Sequence, residues 1–267
     1  MPYPTFRLAA IDLDGTLLGP DGRVGARNRA AIGTLREAGI TVVIASGRMH
    51  AASEPTWRDL GLDTPVVSYN GAMVYNPATG EMISHTPLDA DIASEVVEWA
   101  ADEGRHLNYY LNDHLYVAEA DRWSDLYHSR TGSPIEPVGA LNQFDGEQPT
   151  KIILVDEPHE TLACRDLWVD RLGDRAYIVR TAVEYLEFLH PDVNKWAGVQ
   201  AVARRYGIPD SQVATFGDSP NDLPMIVGAA LGVVMPYSPQ DILEAADVIG
   251  IGSPEDAFGR TVEMLLA

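Results

Sequence analysis

The sequence is poor in cysteine and has no long apolar stretch. The first feature argues against a disulfide-stabilised protein, and the second argues against a membrane-spanning one. Cys164 is the single cysteine, so no disulfide can form within the chain, and a reducing compartment is favoured. No apolar run approaches the roughly 18 residues of a membrane span, and the N-terminus lacks the basic-then-apolar layout of a signal peptide. We therefore expect a soluble, cytoplasmic protein with no membrane association.

Basic residues are also scarce. The chain has 19 Lys and Arg against 39 Asp and Glu, which gives a net charge of −20. Such a charge argues against a nucleic-acid partner, because phosphate backbones are bound by basic surfaces. Lys151 and Lys195 are the only lysines, and arginine supplies the positive charge elsewhere in the chain. Each lysine therefore indicates a position whose geometry requires a compact ammonium rather than a guanidinium. An enzyme acting on phosphates would need such a local cation to overcome the overall repulsion.

The order of strand-like and helix-like stretches predicts an α/β fold. Apolar, β-branched runs alternate with amphipathic stretches from residue 6 to residue 68, and the same rhythm resumes at residue 195. This order is typical of a Rossmann-like open parallel sheet with helices on both faces. The 29.1 kDa chain is long enough for one large or two smaller domains.

A different pattern interrupts this rhythm in the middle of the chain. Asn70-Gly71 is a hairpin signal, and strands, helices and paired strands then follow one another in a βαββ order that occurs twice. We interpret the interruption as an inserted α+β domain over residues 83–189. Residues 1–82 and 190–267 would then form one discontinuous α/β core.

The first candidate site is the stretch AIDLDGTLL, residues 10–18, where two carboxylates directly follow an apolar strand. Asp12 and Asp14 are two residues apart, so they point to the same side of an extended chain. The carboxyl end of a strand in an open parallel sheet is where ligands bind. An ordinary Asp-Gly turn is the alternative for this stretch taken alone.

A second acidic stretch, TFGDSPND over residues 215–222, follows another short apolar strand. Asp218 lies at its end, and Asp222 follows one helical turn later. The alternative is a helix N-terminus whose polar side chains cap free amides. Carboxylates that meet from two strand ends are better explained by a shared Mg²⁺, which binds oxygen ligands.

Two further features suit a phosphate group. Ser46 and Gly47 follow the apolar strand ending at residue 45, where a hydroxyl and exposed amides can bind phosphate oxygens. Lys195 begins a predicted helix, a position that is unfavourable for a positive charge. We therefore expect Lys195 to serve an anion.

Together, DLDGT, SGR, Lys195 and GDSPND resemble the motifs of the haloacid dehalogenase superfamily of phosphotransferases, in their order and across the whole chain. The insert after SGR, opened by SYNGA at residues 68–72, resembles that of the Cof-type subfamily with its type IIB cap, a substrate-specificity domain. The chain departs from similar proteins at Trp196, where a small residue is common, and at Met235-Pro236-Tyr237, where Met-Gly-Asn is common.

The resemblance implies a division of roles among the aspartates. Asp12 would be the nucleophile that forms an aspartyl-phosphate, and Asp14 the general acid and then the general base. Mg²⁺ would be held by the Asp12 carboxylate, the Asp14 carbonyl oxygen and Asp218, with Asp222 supporting these ligands.

The resemblance also implies which residues bind the substrate. Ser46, Gly47 and Lys195 would bind the phosphoryl group. Three more residues would lie close to the substrate: Asn70, Gly71 and Asn221.

The expected function is that of a Mg²⁺-dependent phosphatase acting on small phosphomonoesters, such as sugar phosphates or phosphorylated cofactors. A phosphomutase on the same fold and a catalytically idle phosphate-ester-binding regulatory protein remain alternatives. The sequence leaves both a monomer and a homodimer open.

Overall fold

A computed structural model of the protein describes residues 5–267, which divide into two compact units. One unit comprises the chain up to Ser84 together with Asn194–Ala267, and the other comprises His85–Val193. The divisions fall two and four residues after the sequence-based boundaries at 82 and 189.

Strands and helices alternate along the chain. The strands are β1 (Leu8–Ile11), β2 (Thr41–Ala45), β3 (Val66–Ser68), β4 (Met73–Asn76), β5 (Glu81–His85), β6 (His106–Leu111), β7 (His114–Val117), β8 (Glu136–Pro137), β9 (Lys151–Val155), β10 (Tyr177–Ala182), β11 (Tyr185–Leu189), β12 (Val213–Gly217), β13 (Leu231–Val234) and β14 (Val248–Ile249). The helices are α1 (Ala26–Glu37), α2 (His50–Asp59), α3 (Ala90–Glu103), α4 (Arg122–Thr131), α5 (Pro158–Leu172), α6 (Lys195–Arg205), α7 (Leu223–Gly228), α8 (Gln240–Leu243) and α9 (Ala257–Leu266). Among the described residues, no helix is both long and apolar enough to cross a membrane.

The first unit is built on an eight-stranded sheet in the order β14-β13-β12-β1-β2-β3-β4-β5. Neighbouring strands from β14 to β3 run parallel, and β4 returns antiparallel to β3. The hairpin predicted at Asn70-Gly71 makes this reversal, and Asn70 adopts a left-handed φ of 57°. The central position of β1 places its carboxyl end in the middle of the sheet edge.

Both faces of this sheet are covered. Alternate residues of β1 point to opposite faces, with Ile11 in the core beneath α1 and α9 and Ala10 in the core beneath α6 and α7. Because both faces are buried, the sequences of the parallel strands are continuously apolar and do not alternate between apolar and polar residues. The predicted α/β class, with a Rossmann-like parallel sheet, is confirmed.

The second unit is an α+β structure with a six-stranded sheet in the order β10-β11-β9-β6-β7-β8. Apart from the parallel β7–β8 pair, its strands pair antiparallel. The core on one face of the sheet includes Val96 of α3 and Trp168 of α5.

Three helices differ from the sequence-based expectation: one begins earlier than expected, and two were not predicted. The sequence predicts a helix around residues 55–60, because Pro55 is typical of a helix start, but α2 begins five residues before Pro55 and includes it in its interior. Helix α4 was not predicted, because its apolar face is weak, although Asp121 and Ser124 form a capping box at its start. The short α8 was not predicted either, because four residues are too few for a periodic signal.

Candidate active site

The site lies at the carboxyl ends of β1, β2 and β12 in the first unit. Strands β1 and β12 are parallel neighbours, with Ile11 opposite Phe216, so Asp12 and Asp218 emerge at the same edge. The backbone amide of Asp12 donates to the carbonyl of Phe216 at 2.9 Å, which continues the sheet pairing to the first aspartate. The topology therefore brings together carboxylates that are about 200 residues apart in sequence.

Asp12, Asp218 and Asp222 form a compact acidic cluster. One carboxylate oxygen of each lies within 4.8 Å of the others. Gly15 adopts a φ of +81° beside this cluster, and a Cβ at this position would lie 2.3 Å from a carboxylate oxygen of Asp218. Any other residue at position 15 would displace Asp218, so glycine is required for the cluster to close.

Lys195, the first residue of α6, neutralises part of the cluster. Its ammonium donates to Asp12 Oδ1 at 2.5 Å and to Asp222 Oδ1 at 2.6 Å, and its side chain is fully buried. Burial opposes the ammonium charge, but the Asp12 and Asp222 carboxylates raise the pKa of Lys195 above its usual value. An ammonium has three N–H donors, so two bonds to carboxylates leave one donor for a further acceptor.

Asp222 accepts hydrogen bonds on both of its carboxylate oxygens. Its Oδ2 atom accepts hydrogen bonds from the backbone amides of Asp218 and Ser219, both at 3.0 Å. Its Oδ1 atom accepts from Lys195. Because both oxygens are occupied, Asp222 fixes the turn after β12 and the lysine rather than offering a direct metal ligand.

The remaining carboxylates suit a hard cation. Burial, with the nearby Asp222 charge, raises the pKa of Asp12 well above its usual value and the pKa of Asp218 to about 6. A buried carboxylate and a half-buried one, both with raised pKa values, lack compensating positive charge, and a divalent ion bound by oxygen ligands would supply it. The residues present therefore fit Mg²⁺.

This electrostatic imbalance predicts a pH-dependent stability. Because the folded pKa values of Asp12 and Asp218 lie above the unfolded value of 3.8, these groups stabilise the fold when they are protonated. We expect the free energy of unfolding of the metal-free protein to lose about 1–3 kcal/mol from these groups as the pH rises from about 4 to about 7.

Urea unfolding in EDTA across this pH range would measure the loss. In Asp218→Asn the free energy of unfolding should depend less on pH than in the wild type. Millimolar Mg²⁺ added to the wild type should restore its stability near pH 7. Asp170→Asn, on the exposed face of α5, is the control and should retain the wild-type profile. Equal slopes in the wild type and Asp218→Asn would contradict the prediction.

Asp14 lies outside the buried cluster and is paired with Arg48. The guanidinium of Arg48 donates to both carboxylate oxygens of Asp14, at 2.7 Å and 2.5 Å. The Asp14 side chain is 57% exposed and the Arg48 side chain 22% exposed. Arg48 belongs to the SGR motif, but sequence reasoning assigned it no role, because its contact with Asp14 is a long-range one.

The residues after β2 form a cluster of polar groups with Asn70 and Asn221. Ser46 is buried, and its backbone carbonyl accepts from the Asn70 amide at 3.0 Å. The side chains of Asn221 and Asn70 are joined by a hydrogen bond of 2.9 Å. A Cβ at Gly47 would lie 2.8 Å from Asn70 Oδ1, so the glycine allows these amides to approach the loop. The structure thus brings Ser46, Gly47, Asn70 and Asn221 together.

Gly71 has a packing role in addition to the predicted one. It adopts a φ of +99°, and a Cβ there would lie 2.2 Å from the carbonyl oxygen of Asn194. Asn194 caps α6 by accepting from the amide of Ala197 at 2.9 Å. Gly71 therefore lets the hairpin approach the start of the helix that carries Lys195.

The two departures from the family pattern lie in different surroundings. Trp196 packs on α7, where a Cβ at Gly228 would lie 2.5 Å from the indole, so the large ring is accommodated by a glycine opposite it. Tyr237 lies at the site itself, where its hydroxyl donates to the carbonyl oxygen of Gly15 at 2.9 Å.

The fold and the site together define the class of the protein: an α/β protein with a Rossmann-like parallel sheet, an acidic cluster at the strand ends and an inserted α+β unit. The model of the haloacid dehalogenase-like hydrolase family matches residues 9–260, and the chain belongs to this family. The predicted family is confirmed, and so is the prediction of a hydrolase with phosphatase activity on small phosphate esters.

Relatives with named activities cover most of the chain. An HMP-PP phosphatase of Cronobacter sakazakii is 29% identical over 236 residues, covering 86% of this chain and 84% of that protein. The 5-amino-6-(5-phospho-D-ribitylamino)uracil phosphatase YitU of Bacillus subtilis is 27% identical over 260 residues, covering 95% of both proteins.

Solved structures show the same fold over almost the full length. A haloacid dehalogenase-like hydrolase from Bacteroides thetaiotaomicron superposes with a TM-score of 0.90 at 23% identity, covering 98% of this chain and 100% of that one. A subclass IIB sugar phosphatase of the superfamily superposes with a TM-score of 0.84 at 19% identity, covering 97% and 98%.

Proposed function

We propose that the protein is a Mg²⁺-dependent phosphatase that hydrolyses small phosphomonoesters through an aspartyl-phosphate at Asp12. The observation that carries the proposal is the cluster of Asp12, Asp218 and Lys195 at one sheet edge. It combines a carboxylate nucleophile with oxygen ligands for a cation and with a buried ammonium.

The Asp12 carboxylate attacks phosphorus in line with the ester oxygen, forming an O–P bond as the bond from phosphorus to the leaving oxygen breaks. Asp14 donates a proton to the leaving oxygen and so releases an alcohol. Its exposed position at the mouth of the cluster suits this role, since the leaving group must depart toward solvent.

The second half of the reaction restores the enzyme. Asp14 now accepts a proton from water, whose oxygen attacks the phosphorus of the aspartyl-phosphate. Inorganic phosphate leaves and the Asp12 carboxylate is regenerated. The one N–H of Lys195 that is not directed to a carboxylate, together with Ser46, would bind the phosphoryl oxygens.

The residues that would hold Mg²⁺ are the Asp12 carboxylate, the Asp14 carbonyl oxygen and Asp218. When bound, the ion neutralises charge on the phosphoryl oxygens and on the carboxylates. Asp222 would support this arrangement by holding Lys195 and the turn after β12.

The substrate class rests on composition and relatives. A chain with a net charge of −20 repels anions except where a cation dominates locally, so a compact phosphate ester that fits beside Lys195 is favoured over a polyanion. The relatives named for HMP-PP and for 5-amino-6-(5-phospho-D-ribitylamino)uracil suggest phosphorylated metabolites of similar size.

Hydrolysis of p-nitrophenyl phosphate is the direct test. We expect turnover in millimolar Mg²⁺, loss of at least about 100-fold in EDTA, and recovery when Mg²⁺ is added back. A panel of phosphorylated metabolites ranked by kcat/KM would then identify the substrate. Full activity in EDTA would contradict the proposed metal dependence.

The same assays separate the alternatives. Phosphorus NMR of a hexose 1-phosphate would show migration of the phosphate for a mutase, and free phosphate for a phosphatase. Tight binding of phosphate esters without turnover of any of them in Mg²⁺ would instead support a regulatory protein.

A further inference from the structure

The turn after β13 brings an aromatic residue to the first catalytic loop. The amide of Met235 donates to the Gly217 carbonyl at 2.9 Å, and the amide of Ser238 donates to the Met235 carbonyl at 3.2 Å. These bonds continue the pairing of β13 with β12 and close a tight turn that contains Pro236. Because Pro236 has a fixed φ, the direction of the turn toward the cluster is well defined.

Tyr237 extends from this turn to the loop that follows Asp14. Its hydroxyl donates to the carbonyl oxygen of Gly15 at 2.9 Å, across 222 positions of sequence. Burial, with the charges of Asp218 and Glu255, raises the pKa of Tyr237 to about 12. The phenol therefore keeps its proton and remains a donor at neutral pH.

The loop that receives this bond contains a flexible residue at its centre. Gly15 has no side chain and a φ of +81°, so its own backbone restricts the loop less than any other residue would. Thr16 provides one restraint, because its hydroxyl donates to Asp218 Oδ1 at 3.1 Å. Backbone hydrogen bonds also close the loop, among them the amide of Leu18 to the carbonyl of Leu13 at 2.8 Å. The Tyr237 bond adds a restraint on the peptide group that joins Gly15 to Thr16.

We propose that Tyr237 is a positioning residue, whose hydroxyl fixes the Gly15 carbonyl and thereby the loop that presents Asp14 beside Asp12 and Asp218. This inference rests on the proposed function, because the loop matters through the ligand oxygen and the proton-transferring carboxylate of Asp14. It also gives a role to a residue at which this chain departs from similar proteins.

The proposal distinguishes the hydroxyl of Tyr237 from its ring. Tyr237→Phe keeps the ring and removes the donor, and the side chain is partly exposed, so folding should be retained. We expect kcat for p-nitrophenyl phosphate to fall about threefold to tenfold, the size of one neutral hydrogen bond. The dissociation constant for Mg²⁺, measured by calorimetry, should rise by a similar factor, while KM changes less.

A third measurement needs neither metal nor substrate. Hydrogen exchange of the metal-free protein should be faster in the peptide that contains residues 12–18 in Tyr237→Phe than in the wild type. Tyr206→Phe is the matched control, since Tyr206 is a similarly exposed tyrosine at the C-terminal end of α6, and it should leave all three quantities unchanged. Equal thermal midpoints for the two variants would exclude a general loss of stability.

The outcomes separate this inference from the proposed function. A wild-type enzyme that hydrolyses phosphate esters, with a Tyr237→Phe variant that matches it in kcat, Mg²⁺ affinity and exchange, overturns the role of Tyr237 alone. A wild type that neither binds Mg²⁺ nor turns over phosphate esters overturns both. Faster exchange and weaker Mg²⁺ binding in a protein without turnover would support the positioning role and refute the phosphatase assignment.

Discussion

Asp12→Asn is expected to abolish phosphatase turnover while leaving the protein folded. The amide is a poor nucleophile and cannot regenerate a carboxylate, so kcat should fall by at least about 10³-fold. The substitution keeps the shape of a buried side chain that is 3% exposed. It also removes one of three negative charges that crowd the cluster.

The expected stability of Asp12→Asn follows from the same charges. Burial and the neighbouring Asp222 already raise the pKa of Asp12, so the loss of its charge relieves repulsion, while Lys195 retains its bond to Asp222. The thermal midpoint of the metal-free variant should therefore equal or exceed that of the wild type. The variant would then lose activity without losing stability, whereas a misfolded variant would lose both.

Steady-state kinetics and calorimetric unfolding in EDTA are the measurements. Asp170→Asn, the same chemical change on the exposed face of α5, should alter neither quantity. Turnover of Asp12→Asn at the wild-type rate would remove Asp12 as the nucleophile and with it the aspartyl-phosphate mechanism.

Lys195→Met is expected to have the largest effect on stability. It leaves the Asp12 and Asp222 carboxylates buried and adjacent without the ammonium between them. Removing one partner of a buried ion pair typically costs about 3–5 kcal/mol. The transition of the first unit should therefore shift down by about 6–20 °C in metal-free protein.

Mg²⁺ and a second substitution should each reverse part of this loss. A cation bound to Asp12 and Asp218 supplies charge to the same cluster, so millimolar Mg²⁺ should stabilise Lys195→Met more than it stabilises the wild type. Lys195→Met with Asp222→Asn removes one of the unpaired charges and should recover part of the midpoint.

The only other lysine of the chain supplies a matched control. Lys151 is buried in the second unit and donates to Glu187 Oε2 at 3.0 Å. Lys151→Met should also lower stability, but Mg²⁺ should not reverse the loss. If Mg²⁺ stabilised both lysine variants equally, its effect would not arise at the acidic cluster.

The sequence was sufficient to predict the sheet edge at which the site lies. Apolar strands followed by aspartates predicted that Asp12 and Asp218 emerge together, because the strands of a parallel sheet end on the same side. The alternating order of elements predicted which segments form the sheet. Local residue patterns carry this information, so no knowledge of long-range contacts was needed.

The partners of the charged side chains could not be predicted in the same way. Lys195 was expected to serve an anion, but its acceptors Asp12 and Asp222 are 183 and 27 residues away. The bonds of Arg48 to Asp14 and of Tyr237 to Gly15 likewise depend on how loops approach in three dimensions. Spacing in sequence does not encode such approaches.

The strand order of the first unit has a consequence for synthesis on the ribosome. Strand β1 lies between β2, which is made soon after it, and β12, which emerges only after the whole second unit has been translated. Until then one edge of the central strand has no native partner, and a nascent chain in that state is exposed to aggregation. We expect ribosome-bound chains that stop at about residue 193 to recruit chaperones through this edge, whereas chains extended past β12 should release them.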